Sequence, residues 1–390
     1  MFLRRATRSA KALGLSGVRT FKGADGVPIE HYAGSERGAL SPVGGVHIGG
    51  MRILILGGTV FVGRALTRQA LARGHTVTVL NRGVSGEPVT GAELVRADRS
   101  RADAFDEIKG RSFDAVIDTS RQSVSQVRRA AAALSGDVHR YVFISTVSVY
   151  TDLGEAGIRE DAPTASALEN PTVEEEEDPQ NYPALNITCE RTVRDTYPNS
   201  YLILRPCLIV GDRDPTDRFG YWLDRLTRPG EILAPGSPQR TVQFIDVNDL
   251  ATFTLHALET GVTGTFNVRG PDASVSMSDL ITSCAEVTGL ATPQVCWVPD
   301  DFLLEAGLQP YTDLPLWIPE TDDLAGFDQI SAAKAISAGL TYRPLHQTLL
   351  DALEWESTLG LGRPRGAGLS PDREDELLRR WHDQRSGNDA

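Results

Sequence analysis

From Met51 to Leu56 the chain is mostly apolar, then meets two glycines, and from Val62 returns to apolar residues at helical spacing. This pattern predicts a strand over 52–56, a tight turn, and a helix over 62–73. The alternation continues with strands over His75–Leu80, Glu93–Ala97 and Phe113–Asp118, a helix over 122–135, a strand over 140–146, a helix over 183–196 and a strand over Tyr201–Val210. Strands separated by helices predict a parallel sheet with right-handed crossovers and ligands at the strands' carboxyl ends. The fold class is therefore α/β, a doubly wound parallel sheet.

The turn after the first strand reads Gly57-Gly58-Thr59-Val60-Phe61-Val62-Gly63-Arg64. Glycines at a strand-to-helix turn let backbone N–H groups and the helix N-terminus approach a pyrophosphate, so these residues are the candidate dinucleotide contacts. The G-x-G-x-x-G spacing is not met, and T-G-x-x-G-x-x-G is met only in part, with Leu56 in place of its Thr and Val60 in place of its middle Gly. A P-loop would need Lys and then Ser or Thr where the chain has Arg64-Ala65, so that reading is set aside.

The G-G-T-x-F-x-G form resembles the extended and atypical short-chain dehydrogenase/reductases, the NAD-dependent epimerase/dehydratase superfamily. Tyr141 to Tyr150, Leu204-Arg205-Pro206 with Ile209-Val210-Gly211, and Val242 to Ala251 resemble later segments of that family and occur in its order. The resemblance spans about Met51 to Glu354 and implies a Rossmann domain with a smaller C-terminal substrate-binding lobe drawn from 151–181, 212–245 and 271–328. That lobe holds many aromatics, among them Phe219, Tyr221, Trp222, Trp297, Phe302, Tyr311 and Trp317, which would either line a pocket or build the lobe's core.

A net charge of −13 argues against a nucleic-acid or anionic-membrane partner, although the chloroplast stem-loop binding proteins, which share the glycine segment, are linked to RNA. No apolar run is long enough for a membrane span. Cys189, Cys207, Cys284 and Cys296 are widely spaced, which suggests neither a disulfide framework nor a zinc site and points to a reducing cytoplasm; no metal is expected. Residues 1–50, rich in arginine and ending in glycines, read as a disordered extension or as sequence upstream of a true start at Met51. The run Glu174 to Asp178 reads as solvated charge, and 355–390 as a tail whose Ser370-Pro371 caps an amphipathic helix.

Selection of NAD usually places a carboxylate about 20 residues past the glycines. Here the second strand ends Asn81-Arg82-Gly83, and with Arg64 nearby two guanidiniums could flank a 2′-phosphate, which favours NADP over NAD. The resemblance implies an adenine contact at Asp98 and a homodimer. It also puts the substrate-orienting hydroxyl on Thr146, with Ser145 and Ser148 holding weaker claims, and the proton-transferring phenol on Tyr182. The family's Y-x-x-x-K lysine is replaced by Asn186, which could bond a ribose hydroxyl but brings no charge. Without an ammonium, a phenol of pKa about 10 stays protonated and suits carbonyl reduction better than alcohol oxidation. Pro183 should push Tyr182 out of the α region to the helix N-cap. Cys189 reads as a buried structural thiol, and Arg218, Arg240 and His256 are candidate contacts for a small-molecule substrate. These readings imply an NADP-linked reductase or epimerase; the lost lysine leaves open a dinucleotide sensor without turnover.

Overall fold

β1 (Arg52–Leu56) is buried on both faces from Ile53 onward, as a central parallel strand must be, and the rest of the sheet is laid against it. The computed structural model describes residues 50–119, 123–320, 324 and 326–388. The expectation for residues 1–50 therefore falls almost wholly outside the described residues. α1 (Phe61–Ala72) crosses to β2 (Thr76–Asn81), and β3 (Glu93–Arg96) lies beyond it. β4 (Ala115–Asp118) returns to the other side of β1, followed outward by α2 (Val124–Leu134), β5 (Tyr141–Ile144), α3 (Tyr182–Thr196) and β6 (Tyr201–Pro206).

The chain then leaves this sheet through β7 (Leu208–Val210), α4 (Arg218–Arg225), β8 (Ile232–Pro235) and β9 (Thr241–Asp246), and returns by α5 (Val247–Thr260) to β10 (Gly264–Val268). The central sheet has seven parallel strands in the order β3-β2-β1-β4-β5-β6-β10. Its order reverses between β1 and β4, and it is outside the carboxyl ends of strands at such a reversal that doubly wound sheets bind ligands. Period-two alternation divides the core. Ile53 and Ile55 pack with α1 and α5, while Leu54 and Leu56 pack with α2 and α3 on the opposite face.

Beyond β10 come β11 (Gly270–Ser276), α6 (Met277–Thr288), β12 (Val295–Val298), α7 (Leu345–Leu359) and α8 (Pro371–Asn388). β11, β9 and β7 form a second sheet, β12 and β8 a third. These elements share one core containing Phe219, Trp222, Trp317 and Leu377, so the lobe's aromatics mainly build its interior. The tail helix belongs to that core. Arg225 and Glu374 meet at 2.6 Å, both buried, and tie α8 to α4.

Several expected elements are corrected. The strand over Tyr201–Val210 breaks at Cys207, so its two halves serve different sheets. Phe113 makes only an isolated bridge to Val138, and β5 ends at Ile144, with Ser145 N still donating to the Leu204 carbonyl at 2.7 Å. Segment 151–181 packs around Ile187 and Ile330 instead of entering the lobe core. Its acidic run makes a helical turn over Val173–Glu177, started by a capping box between Thr172 and Glu175.

Candidate active site

The turn after β1 has room for backbone only. Gly57 and Gly58 have φ of 119° and 87°, a region that L side chains rarely enter. A Cβ on Gly58 would stand 2.6 Å from Val79 Cγ1, and one on Gly63 would collide with the Gly58 amide nitrogen. Phe61, at φ 40°, holds an unusual conformation at the first residue of α1. Such a cradle, with the unpaired N–H groups of a helix's first turn at its mouth, fits a dinucleotide pyrophosphate. Thr59 and Val62 belong to this wall. Thr59 donates to the Ser85 carbonyl at 2.6 Å and Val62 is half-buried.

At the end of β2, Asn81 donates to the Gly57 carbonyl at 2.8 Å and to Thr59 Oγ1 at 3.2 Å, and accepts from Gly83 N at 2.7 Å. It braces the glycine turn. Arg64 likewise donates to the Glu87 carbonyl at 2.9 Å, and burial followed by the charge of Arg213 lowers its pKa. Arg82 is exposed. Its in-register neighbourhood supplies a cation that sequence reasoning missed: Arg96 pairs with Asn81 across β2 and β3 and lies over Gly83, where a Cβ would stand 2.8 Å from its Nε. Strand pairing is nonlocal, so nothing in the spacing signals it. Asp98 turns back on Ser100, whose backbone and side-chain hydrogen bonds hold its carboxyl below the usual range.

Thr146 is buried at the N-cap of the turn Val147–Val149, accepting from Ser148 N at 3.1 Å and donating to Ser148 Oγ at 3.2 Å. That turn packs against α3, whose first residue is Tyr182. The expected N-cap position is corrected: Asn181 is the N-cap and Tyr182, at φ −48° and ψ −48°, is already α-helical despite Pro183. The preceding turn Pro179–Asn181 leads directly into the helix, and Pro183 sits where no intrahelical N–H bond is needed. Asn186 is buried and donates to the Tyr182 carbonyl at 2.8 Å, so its amide is occupied one turn back. Among the described residues, lysine occurs only at 109 and 334, and Lys334 bonds the Thr265 carbonyl near the start of β10, away from the carboxyl ends.

Farther along α3, a buried network around Glu190 joins these elements. Glu190 accepts from Ser145 Oγ at 2.7 Å and takes Arg205 in a two-pronged pair at 2.9 and 2.7 Å. Arg205 also donates to Tyr150 Oη at 3.0 Å, and Tyr150 donates to Asn267 Oδ1 at 2.6 Å. Burial works against the charge on Arg205, but Glu190 holds its pKa raised. A sequence shows neither partner's burial, so this pair was not foreseen. A matching pair, Arg99 with Asp118 at 2.9 Å, lies under the end of β4, where Tyr141 also donates to Asp118.

The other candidates have structural partners. Cys189 is buried and its thiol pKa is pushed up by desolvation. Arg240 pairs with Asp300 at 2.7 Å and bonds the Ile318 carbonyl. Arg218 bonds the Tyr311 carbonyl, and His256 lies against Gly339. In the family-like segment Val242–Ala251, Asp246 caps α5 and Asp249 holds Arg343 at 3.2 Å. A cleft of about 330 Å³ in the lobe is lined by Gln243, Arg269, Ser274 and Asp328, whose carboxyl burial pushes up to about 7 against the pull of Arg240.

Residues 53–268 match the model of the NAD dependent epimerase/dehydratase family. The chloroplast stem-loop binding protein of 41 kDa b from Arabidopsis thaliana is 26% identical over 263 residues, 63% of this chain and 65% of that protein. The chain thus spans less than two thirds of that relative's length. Epimerase family protein SDR39U1 of Bos taurus is 26% identical over 265 residues, 64% of this chain and 83% of its own. A crystal structure of UDP-glucose 4-epimerase superposes with a TM-score of 0.61 at 18% identity, covering 80% of this chain and 100% of the other, a likeness of fold. Among the described residues no helix is long and apolar enough to cross a membrane.

Proposed function

The chain belongs to the NAD-dependent epimerase/dehydratase family, and from that membership we propose that it is an NADPH-linked reductase acting on a carbonyl of a small metabolite. The single observation behind this reading is Asn186 in the lysine position, its amide bound to the Tyr182 carbonyl, with no lysine among the described residues at that end of the sheet. An amide in the lysine's place brings no charge of its own, and Tyr182 is assigned the role of giving a proton to a carbonyl oxygen. The cofactor, when bound, supplies the hydride. Gly57, Gly58, Thr59 and Gly63 would hold its pyrophosphate, Arg82 and Arg96 its 2′-phosphate, and Thr146 would orient the substrate oxygen for Tyr182. The four free thiols support placing it in a reducing compartment such as the cytoplasm.

A sensor without turnover is favoured by one observation: the Thr146 hydroxyl is already bonded to Ser148. The readings separate on NADPH oxidation over a panel of aldehydes and ketones. Reductase function requires consumption that Tyr182→Phe abolishes while leaving NADPH affinity within about twofold. Tight NADPH binding with no consumption across the panel supports the sensor.

A further inference from the structure

The face where α8 meets the β8/β12 pair carries a cluster unrelated to the dinucleotide cleft. Glu231 at the edge of β8, Cys296 on β12 and His382 on α8 bring a carboxylate oxygen, a thiol sulfur and an imidazole nitrogen within 4.8 Å of one another. His382 Nε2 already lies 2.7 Å from Glu231 Oε2. Three different donor types from three separate elements converge here, which distinguishes the cluster from a patch of surface acids. Tetrahedral zinc sites place such donors about 3.3–3.8 Å apart at bond lengths of about 2.0–2.3 Å, so only small side-chain shifts are needed.

The surroundings fit a bound cation. Cys296 is buried, whereas the Glu231 and His382 side chains are 37% and 48% exposed, which leaves a water-accessible fourth position. α8 is fixed independently of the cluster, because Glu374 pairs with Arg225 and accepts from Leu233 N at 3.0 Å, while Trp381 packs edge-on to Phe302 at 5.3 Å. Arg225 also donates to the Glu231 carbonyl at 2.7 Å, which anchors that residue's backbone.

We propose that Glu231, Cys296 and His382 bind one zinc ion that pins the C-terminal helix to the lobe. Binding replaces the His382–Glu231 hydrogen bond with two metal bonds and forms a third to sulfur. The Cys296 thiol releases its proton to solvent, the imidazole passes the Nε2 proton it donates to Glu231 to Nδ1 by way of solvent and so offers its Nε2 lone pair, and no redox change occurs.

The test uses the full chain, stripped with a chelator and titrated with Zn²⁺ against a chromophoric competitor, and separately with Co²⁺ as a spectroscopic probe. The expected result is one equivalent of zinc, a thiolate-to-cobalt charge-transfer band in the near ultraviolet, and a higher thermal midpoint with zinc. Cys296→Ser should lose the band. His382→Ala, on the exposed side, should weaken zinc binding by roughly tenfold or more while leaving the metal-free circular dichroism unchanged. Absence of the cobalt band in the wild type, its persistence in Cys296→Ser, or zinc affinity unaffected by His382→Ala would overturn the proposal.

Discussion

Replacing Glu190 by Gln removes the charge that compensates a buried guanidinium while nearly preserving shape. Glu190 is fully buried and Arg205 is 2% exposed, and they share hydrogen bonds of 2.9 and 2.7 Å. Breaking a buried pair from one side costs about 3–5 kcal/mol, because the remaining charge is stranded away from water. Arg205 keeps its bonds to Tyr150 Oη and the Glu160 carbonyl, which places the expected loss near the lower end, about 3 kcal/mol. Replacing both residues by Met removes the stranded charge and leaves mainly Ser145 without its acceptor, a loss of about 1 kcal/mol. Urea denaturation at 25 °C and pH 7, read as a change in midpoint at constant slope, measures both variants. A loss below about 1 kcal/mol in Glu190→Gln, or a double variant no more stable than the single one, would mean that Glu190 does not compensate a stranded charge on Arg205.

Arg82→Glu combined with Arg96→Glu should weaken NADPH binding by about tenfold or more and leave NADH nearly unchanged, as measured by fluorescence titration; equal effects on both would remove these residues from the 2′-phosphate site. Asp214 is 5% exposed, and burial raises its pKa from 3.8 to about 6. The folded state therefore holds this proton more tightly than the unfolded chain, so ionisation subtracts stability as the pH rises through that window. Asp214→Asn should gain stability relative to the wild type by roughly 1 kcal/mol between pH 5 and pH 8, and a pH-independent difference would contradict the shift.

The sheet was legible because its signals are local. Ile53 to Leu56 and the glycines that follow declare a buried parallel strand and a tight turn within a few residues, and the helices show their apolar period. The break at Cys207 has a local mark in Pro206, but which sheet each half joins is decided by the pairings with β10 and β9. Tyr182 illustrates a local rule overridden, since the turn before it continues into α3 and holds a residue before proline in the α region. Arg96, Glu190 and Arg205 acquire their places from strands and helices distant in sequence. The metal-like trio is spread across β8, β12 and α8, so no short spacing could reveal it. The Thr172–Glu175 and Ser276–Asp279 capping boxes follow a spacing visible in the sequence.

Isothermal calorimetry of the full chain with NADPH and NADH asks without intermediaries whether the backbone of the turn after β1 holds a dinucleotide pyrophosphate. One site is expected, tighter for NADPH, that Gly63→Ala destroys while circular dichroism shows the variant folded. No heat with either nucleotide at millimolar concentration, or binding that survives Gly63→Ala unchanged, would contradict it.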